Sequence, residues 1–143
     1  MTEANELQFV DTNIFVYAYN TSDKTKHQCA LSLLTKLWHT GAGCLSIQVL
    51  QELYVTLTLK VPDPLTPETC TPIIEDLGQW RLHRPELKSI LEAMQIQQQY
   101  SISFWDAMII CSARELGCKQ VWTEDLNTGQ SYSGVTAVNP FLL

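Results

Sequence analysis

The 143 residues carry 9 Lys and Arg against 15 Asp and Glu, a formal net charge of −6, with 45% hydrophobic residues. That size and balance predict one globular domain, residues 1–143, with a core of its own. They exclude broad electrostatic adhesion to nucleic acid, which needs many cations, and no apolar run approaches the roughly 20 residues that span a membrane.

Along the chain, Met1 to Glu6 is acidic and no hydrophobic signal core follows it, so a cytoplasmic protein is expected. Leu7 to Val10 reads as a short buried strand ending at Asp11. Asn13 to Tyr19 reads as a short helix. Thr21, Ser22 and Asp23 offer N-caps for a helix to about His39, which Gly41 and Gly43 end. Cys44 to Ser46 is a second strand, and Ile47 to about Lys60 a further helix. Pro62, Pro64 and Pro67 break the chain into a loop. Thr66 can cap the next helix, with Pro67 at its first position. Arg81 to Arg84 is a connector or short strand. Pro85 opens a helix to about Tyr100. Ser103 caps another that runs to Leu116 and stops at Gly117. Lys119 to Trp122 and Val135 to Val138 are the last strands. Strands alternating with helices predict an α/β class with a largely parallel sheet.

Four acids stand in apolar surroundings: Asp11 after Phe9-Val10, Glu52 in Leu50-Gln51-Glu52-Leu53, Asp106 in Phe104-Trp105-Asp106-Ala107, and Asp125 in Trp122-Thr123-Glu124-Asp125. An unpaired buried carboxylate is costly, so such groups are paired, protonated or bound to metal. No Lys or Arg lies within three residues of any of the four, and a shared divalent cation is the simplest way to keep them ionised together. Asp11 and Asp125 fall just past strand ends, where parallel sheets bind ligands. Each acid also has an ordinary use. Asp11 can cap a helix, Asp106 suits a first turn, Glu52 can be a surface residue and Asp125 a turn residue.

The stretch Phe9-Val10-Asp11-Thr12-Asn13-Ile14-Phe15-Val16-Tyr17-Ala18-Tyr19 resembles the opening of a PIN domain, the fold of the VapC-type toxin ribonucleases. Ser103-Phe104-Trp105-Asp106-Ala107-Met108-Ile109-Ile110 is similar to that family's third acidic motif. The tail from Thr123-Glu124-Asp125-Leu126-Asn127 to Val138-Asn139-Pro140-Phe141 resembles its closing segment. The resemblance implies a three-layer α/β/α fold with a largely parallel central sheet. It implies an endoribonuclease that hydrolyses RNA with water activated by Mg²⁺ or Mn²⁺, a homodimer, and a cognate antitoxin. Under it Asp11, Glu52, Asp106 and Asp125 are catalytic metal ligands or orienters of water, with Thr12, Asn13 and Thr123 in support. Glu124 neighbours the fourth acid; the family motif favours Asp125.

The five cysteines, Cys29, Cys44, Cys70, Cys111 and Cys118, form no C-x-x-C pair and read as small apolar residues. His27, His39 and His83 lack metal-ligand spacing and take surface or packing roles. Arg81 and Arg84 belong to a solvated connector or touch phosphate. Phe15 is assigned to the core, and Tyr17 or Tyr19 is available for base stacking. Leu33, Leu37, Trp38, Leu53 and Leu57 are assigned to the core, a dimer seam or a groove for a partner helix. No basic stripe accompanies the motifs, which motivates a second reading: a PIN-like binding module with little or no nuclease activity. A receiver-like phosphoacceptor ranks third, because its acceptor Asp would follow a later strand.

Overall fold

The computed structural model describes residues 6–143, so Met1 to Asn5 of the acidic start lie outside the described residues. The chain folds into a six-stranded sheet in the order β3-β2-β1-β4-β6-β5. The strands are β1 (Gln8–Val10), β2 (Gly43–Ser46), β3 (Arg81–His83), β4 (Gln120–Trp122), β5 (Ser131–Tyr132) and β6 (Val135–Val138). All neighbouring pairs are parallel except β5 with β6. From β1 the chain builds β2 and β3 on one side, then returns to lay β4 on the other. The crevice beyond β1 and β4 is therefore a topological switch point.

The helices begin where local chemistry starts them. Asp11, Asp23, Ser46, Thr66 and Ser103 each accept a backbone N–H in the first turn of the helix they precede. These helices are α1 (Thr12–Tyr19), α2 (Lys24–Thr40), α3 (Ile47–Val55), α4 (Pro67–Leu77) and α6 (Phe104–Glu115). Between the last two, α5 (Leu87–Tyr100) starts two residues later than Pro85, with a reciprocal capping box between Glu86 and Ser89. Gly41 ends α2 in the left-handed region at φ 70°. Gly43 has a different task from the helix stop expected of it. It opens β2, and a Cβ there would come within 2.4 Å of the Trp80 ring.

The core joins sheet and helices through Phe9, Val10, Phe15, Leu45, Leu53 and Val121, all fully buried. Phe15, Leu37, Leu53 and Leu57 are core residues, whereas Trp38 is 51% exposed. It leans on Trp80 at the edge of the fold, with ring centroids 6.1 Å apart. Of the two readings of Arg81 to Arg84, the short strand is the one that forms, as β3 over Arg81–His83, and His83 packs in the interior. Two further features depart from the sequence reading. The helix expected to run evenly to Lys60 widens into a π-helical turn over Thr56–Lys60. The short strand β5 was not anticipated. No helix among the described residues is long and apolar enough to cross a membrane.

Candidate active site

The sheet delivers Asp11 and the Thr123–Asp125 segment to one place. Asp11 follows β1, and its backbone N–H donates to the carbonyl of Trp122 at the end of β4, at 3.0 Å. Its side chain then does two jobs. Oδ1 caps α1 by accepting from the Thr12 N–H at 2.7 Å. Oδ2 accepts from the Thr123 hydroxyl at 2.8 Å and from Asn13 Nδ2 at 3.3 Å. Asn13 also donates to Asp125 Oδ2 at 3.0 Å. A neutral amide thus spaces two carboxylates without discharging either. Asp106 arrives from the first turn of α6, where the Ser103 hydroxyl accepts its N–H at 3.0 Å.

Oxygen atoms of Asp11, Asp106 and Asp125 lie within 4.8 Å of one another. Glu52 stands outside that trio. Projecting from α3, it accepts from the Thr12 hydroxyl at 2.8 Å and lines the same cavity of about 560 Å³. Glu124 also lines the cavity but is already paired: it accepts from the Tyr17 hydroxyl at 2.7 Å and pairs with Lys26 at 2.9 Å.

Crowding of like charge in a sheltered place shows in the acidities. Burial pushes the Asp11 carboxyl up to about 7, against hydrogen bonds from Thr123 and Thr12, and the charges of Asp125 and Glu52 add to the rise. Asp106 is raised for the same first reason, opposed by Ser103 and reinforced by Asp125 and Glu52. The donor set suits a hard divalent cation such as Mg²⁺ or Mn²⁺, since every clustered ligand atom is a carboxylate oxygen. Such a cation would offset both the burial and the smaller repulsion that raise these acids.

Lys60, Gln48 and Trp105 are among the cavity-lining residues that the sequence reading did not assign to the site. The signal for Lys60 was present: Gln48, Glu52, Thr56 and Lys60 recur every four residues, and all line the cavity. In a regular α-helix that spacing drifts by about 40° per step. The π-helical turn, with its wider hydrogen-bond ring, reduces the drift over the last step and keeps Lys60 on the cavity side.

The PIN domain family model matches residues 9–129, a span that contains all four acids. The chain belongs to the PIN domain family. This PIN domain is similar in fold to VapC20 of Mycobacterium tuberculosis, a sarcin-ricin-loop-cleaving toxin. The two share 20% identity at a TM-score of 0.65, over 82% of this chain and 89% of that one. It is also similar to a toxin–antitoxin complex from Klebsiella pneumoniae (16% identity, TM-score 0.63, 93% of this chain and 97% of that one). A third likeness is to DNA-bound VapBC from Salmonella typhimurium (19% identity, TM-score 0.62, 92% and 96%). At these identities the likeness is one of fold. No curated protein matches the sequence.

Proposed function

We propose that this PIN domain is a metal-dependent endoribonuclease, the toxin of a toxin–antitoxin pair. The carrying observation is the trio of aspartate oxygens within 4.8 Å, with only neutral donors on Asp11. Asp11, Asp106 and Asp125 are the proposed ligands of Mg²⁺ or Mn²⁺. A divalent cation there would polarise the scissile phosphate, acidify the attacking water and stabilise the leaving oxygen.

The protein supplies the rest. Thr12, Thr123 and Asn13 fix the Asp11 rotamer by hydrogen bonds to both its oxygens. Thr12 engages Glu52 Oε1, which leaves Oε2 to take a proton from the attacking water. Lys60 gives the cavity a cation that can meet a phosphate, despite the acidic surface. The toxin–antitoxin complexes among the similar structures support a cognate antitoxin as partner, and the family resemblance supports a homodimer.

The test is incubation of the purified protein, and of Asp106→Asn, with total RNA in Mg²⁺, Mn²⁺ or EDTA, followed by mapping of new 5′ ends. Discrete metal-dependent cuts that vanish in the variant are expected. A folded, antitoxin-free protein that cuts nothing would overturn the proposal and favour the binding module.

A further inference from the structure

The carboxylate chemistry does not account for Trp105. Trp105 sits in the first turn of α6 beside Asp106 and lines the acidic cavity, yet it is 61% exposed. Its backbone is held, because its carbonyl accepts from Gln48 Nε2 at 3.2 Å. Gln48 is nearly buried, and its amide also reaches Glu52 Oε1 at 3.5 Å. The Trp105 ring meets the ring of Phe104 with centroids 5.2 Å apart, inclined at 76°. A large aromatic surface is therefore presented to solvent at the rim of an anionic pocket, on a tethered backbone.

The other aromatic residue lining the cavity is Tyr17, and it is already committed. Its hydroxyl donates to Glu124 at 2.7 Å, its ring packs on Phe141 at 5.1 Å, and Lys26 lies over its face at 4.8 Å. Among the described residues lining the cavity, Trp105 alone has an uncommitted aromatic face. Stacking a nucleobase on such a face does not need sequence-specific hydrogen bonds, but it does need a base outside a duplex.

We infer that Trp105 stacks on the base next to the scissile phosphate and so fixes that nucleotide in the site. This rests on the ribonuclease reading. It adds the side chain that holds the nucleotide beside the cut. Trp105 acts here as a specificity-determining residue and takes no part in proton transfer.

The test separates binding from cleavage. All proteins carry Asp106→Asn, to prevent cutting, and each is paired with Trp105→Ala, Trp105→Phe or the native Trp105. Anisotropy in Mg²⁺ then reports binding to a labelled single-stranded RNA of about ten nucleotides and to the same RNA annealed to its complement. The alanine variant should bind the single strand about 10- to 100-fold more weakly, the loss of one stacked base. Phenylalanine should recover most of that, and duplex binding should not change. Equal single-strand binding by Trp and Ala would overturn the inference, as would equal loss on both RNAs, or a Trp105→Ala defect seen only with a protein partner. With Asp106 intact, Trp105→Ala should raise KM far more than it lowers kcat. If the native protein cuts nothing, the nuclease reading fails on its own account, whatever the anisotropy shows.

Discussion

Among the described residues, two groups of acidic and thiol side chains bring ligand atoms within 4.8 Å of one another. Asp11, Asp106 and Asp125 form one; Glu92, Cys111 and Glu115, between α5 and α6, form the other. Proximity alone therefore does not mark a site. The groups differ in how their charge is met. Glu115 pairs with His83 Nε2 and accepts from the Ser89 hydroxyl at 3.1 Å, while His83 Nδ1 meets the Ser112 hydroxyl at 2.7 Å. Burial opposes ionisation of Glu115, but hydrogen bonds from His83 and Ser89 and the His83 charge outweigh it, and its carboxyl titrates below the ordinary range. Burial first, then Glu92 and Glu115, pushes the Cys111 thiol up to about 12, so it stays neutral. At the end of β1 the opposite holds. Asp11 is positioned by an N–H, a hydroxyl and an amide, and its acidity falls instead of rising. A counter-ion within the protein makes a carboxylate structural. Neutral donors fix its direction and leave its charge for something that binds.

The sharpest way to break this contrast is to alter one member of each group and measure cleavage. Asp106→Asn should lower the rate by about 1000-fold or more, the scale of losing a group engaged in the transition state. Cys111→Ser should leave it within about twofold, since Cys111 does not line the cavity. Comparable losses in both would mean that charge compensation does not distinguish the two groups.

Stability should reverse the ranking. His83→Leu strips Glu115 of its partner in a half-sheltered place. Breaking a buried pair costs roughly 3–5 kcal/mol, and the Glu115 side chain keeps 23% exposure, so about 2–3 kcal/mol is expected in a urea titration. Asp106→Asn should cost nothing measurable in the same assay. A divalent cation should act only on the aspartates. Mn²⁺ at 100 times its Kd should stabilise the native protein and Cys111→Ser by about 3 kcal/mol, and Asp106→Asn by much less. A shift lost with Cys111 instead would relocate the metal.

The parts of this contrast differ in how far the sequence revealed them. Asp11, Asp106 and Asp125 were legible because each follows a local signal, a strand end or a capped first turn. Ser103 and Asp11 could be read as caps from their neighbours alone. The His83–Glu115 pair was not legible, because its partners are 32 residues apart and meet only when β3 packs against α6. Lys60 was missed for a geometric reason, since a helix taken as regular throughout turns it away from the cavity. Trp38 was assigned to the core or a seam on helical spacing, but only the packed fold shows that its ring stays half in solvent. The strand β5 has two residues and exists only because the Ser133–Gly134 turn, both residues at positive φ, brings β6 back antiparallel to it. The family resemblance placed Glu52 with the other acids; the fold puts it on the cavity wall, outside the trio.

The smallest effect tests the electrostatics of Asp11 directly. Its carboxyl is raised from 3.8 to about 7 in the folded, metal-free protein. Between those values the folded state holds a proton that the unfolded chain has released, so stability falls as pH rises through the window and levels off above it. The full shift corresponds to at most about 4 kcal/mol. Asp11→Asn removes that penalty, but an amide cannot accept at both atoms, so hydrogen bonds from Thr123 and Asn13 are weakened at about 1 kcal/mol each. In EDTA at pH 8 the variant should therefore exceed the native protein by about 1–2 kcal/mol. At pH 4, where Asp11 is protonated in the folded state, it should show no advantage. A difference between the two proteins that is independent of pH would mean that Asp11 carries its charge at no cost. The cluster would then be compensated as Glu115 is, and the case for a cation at β1 would fall with it.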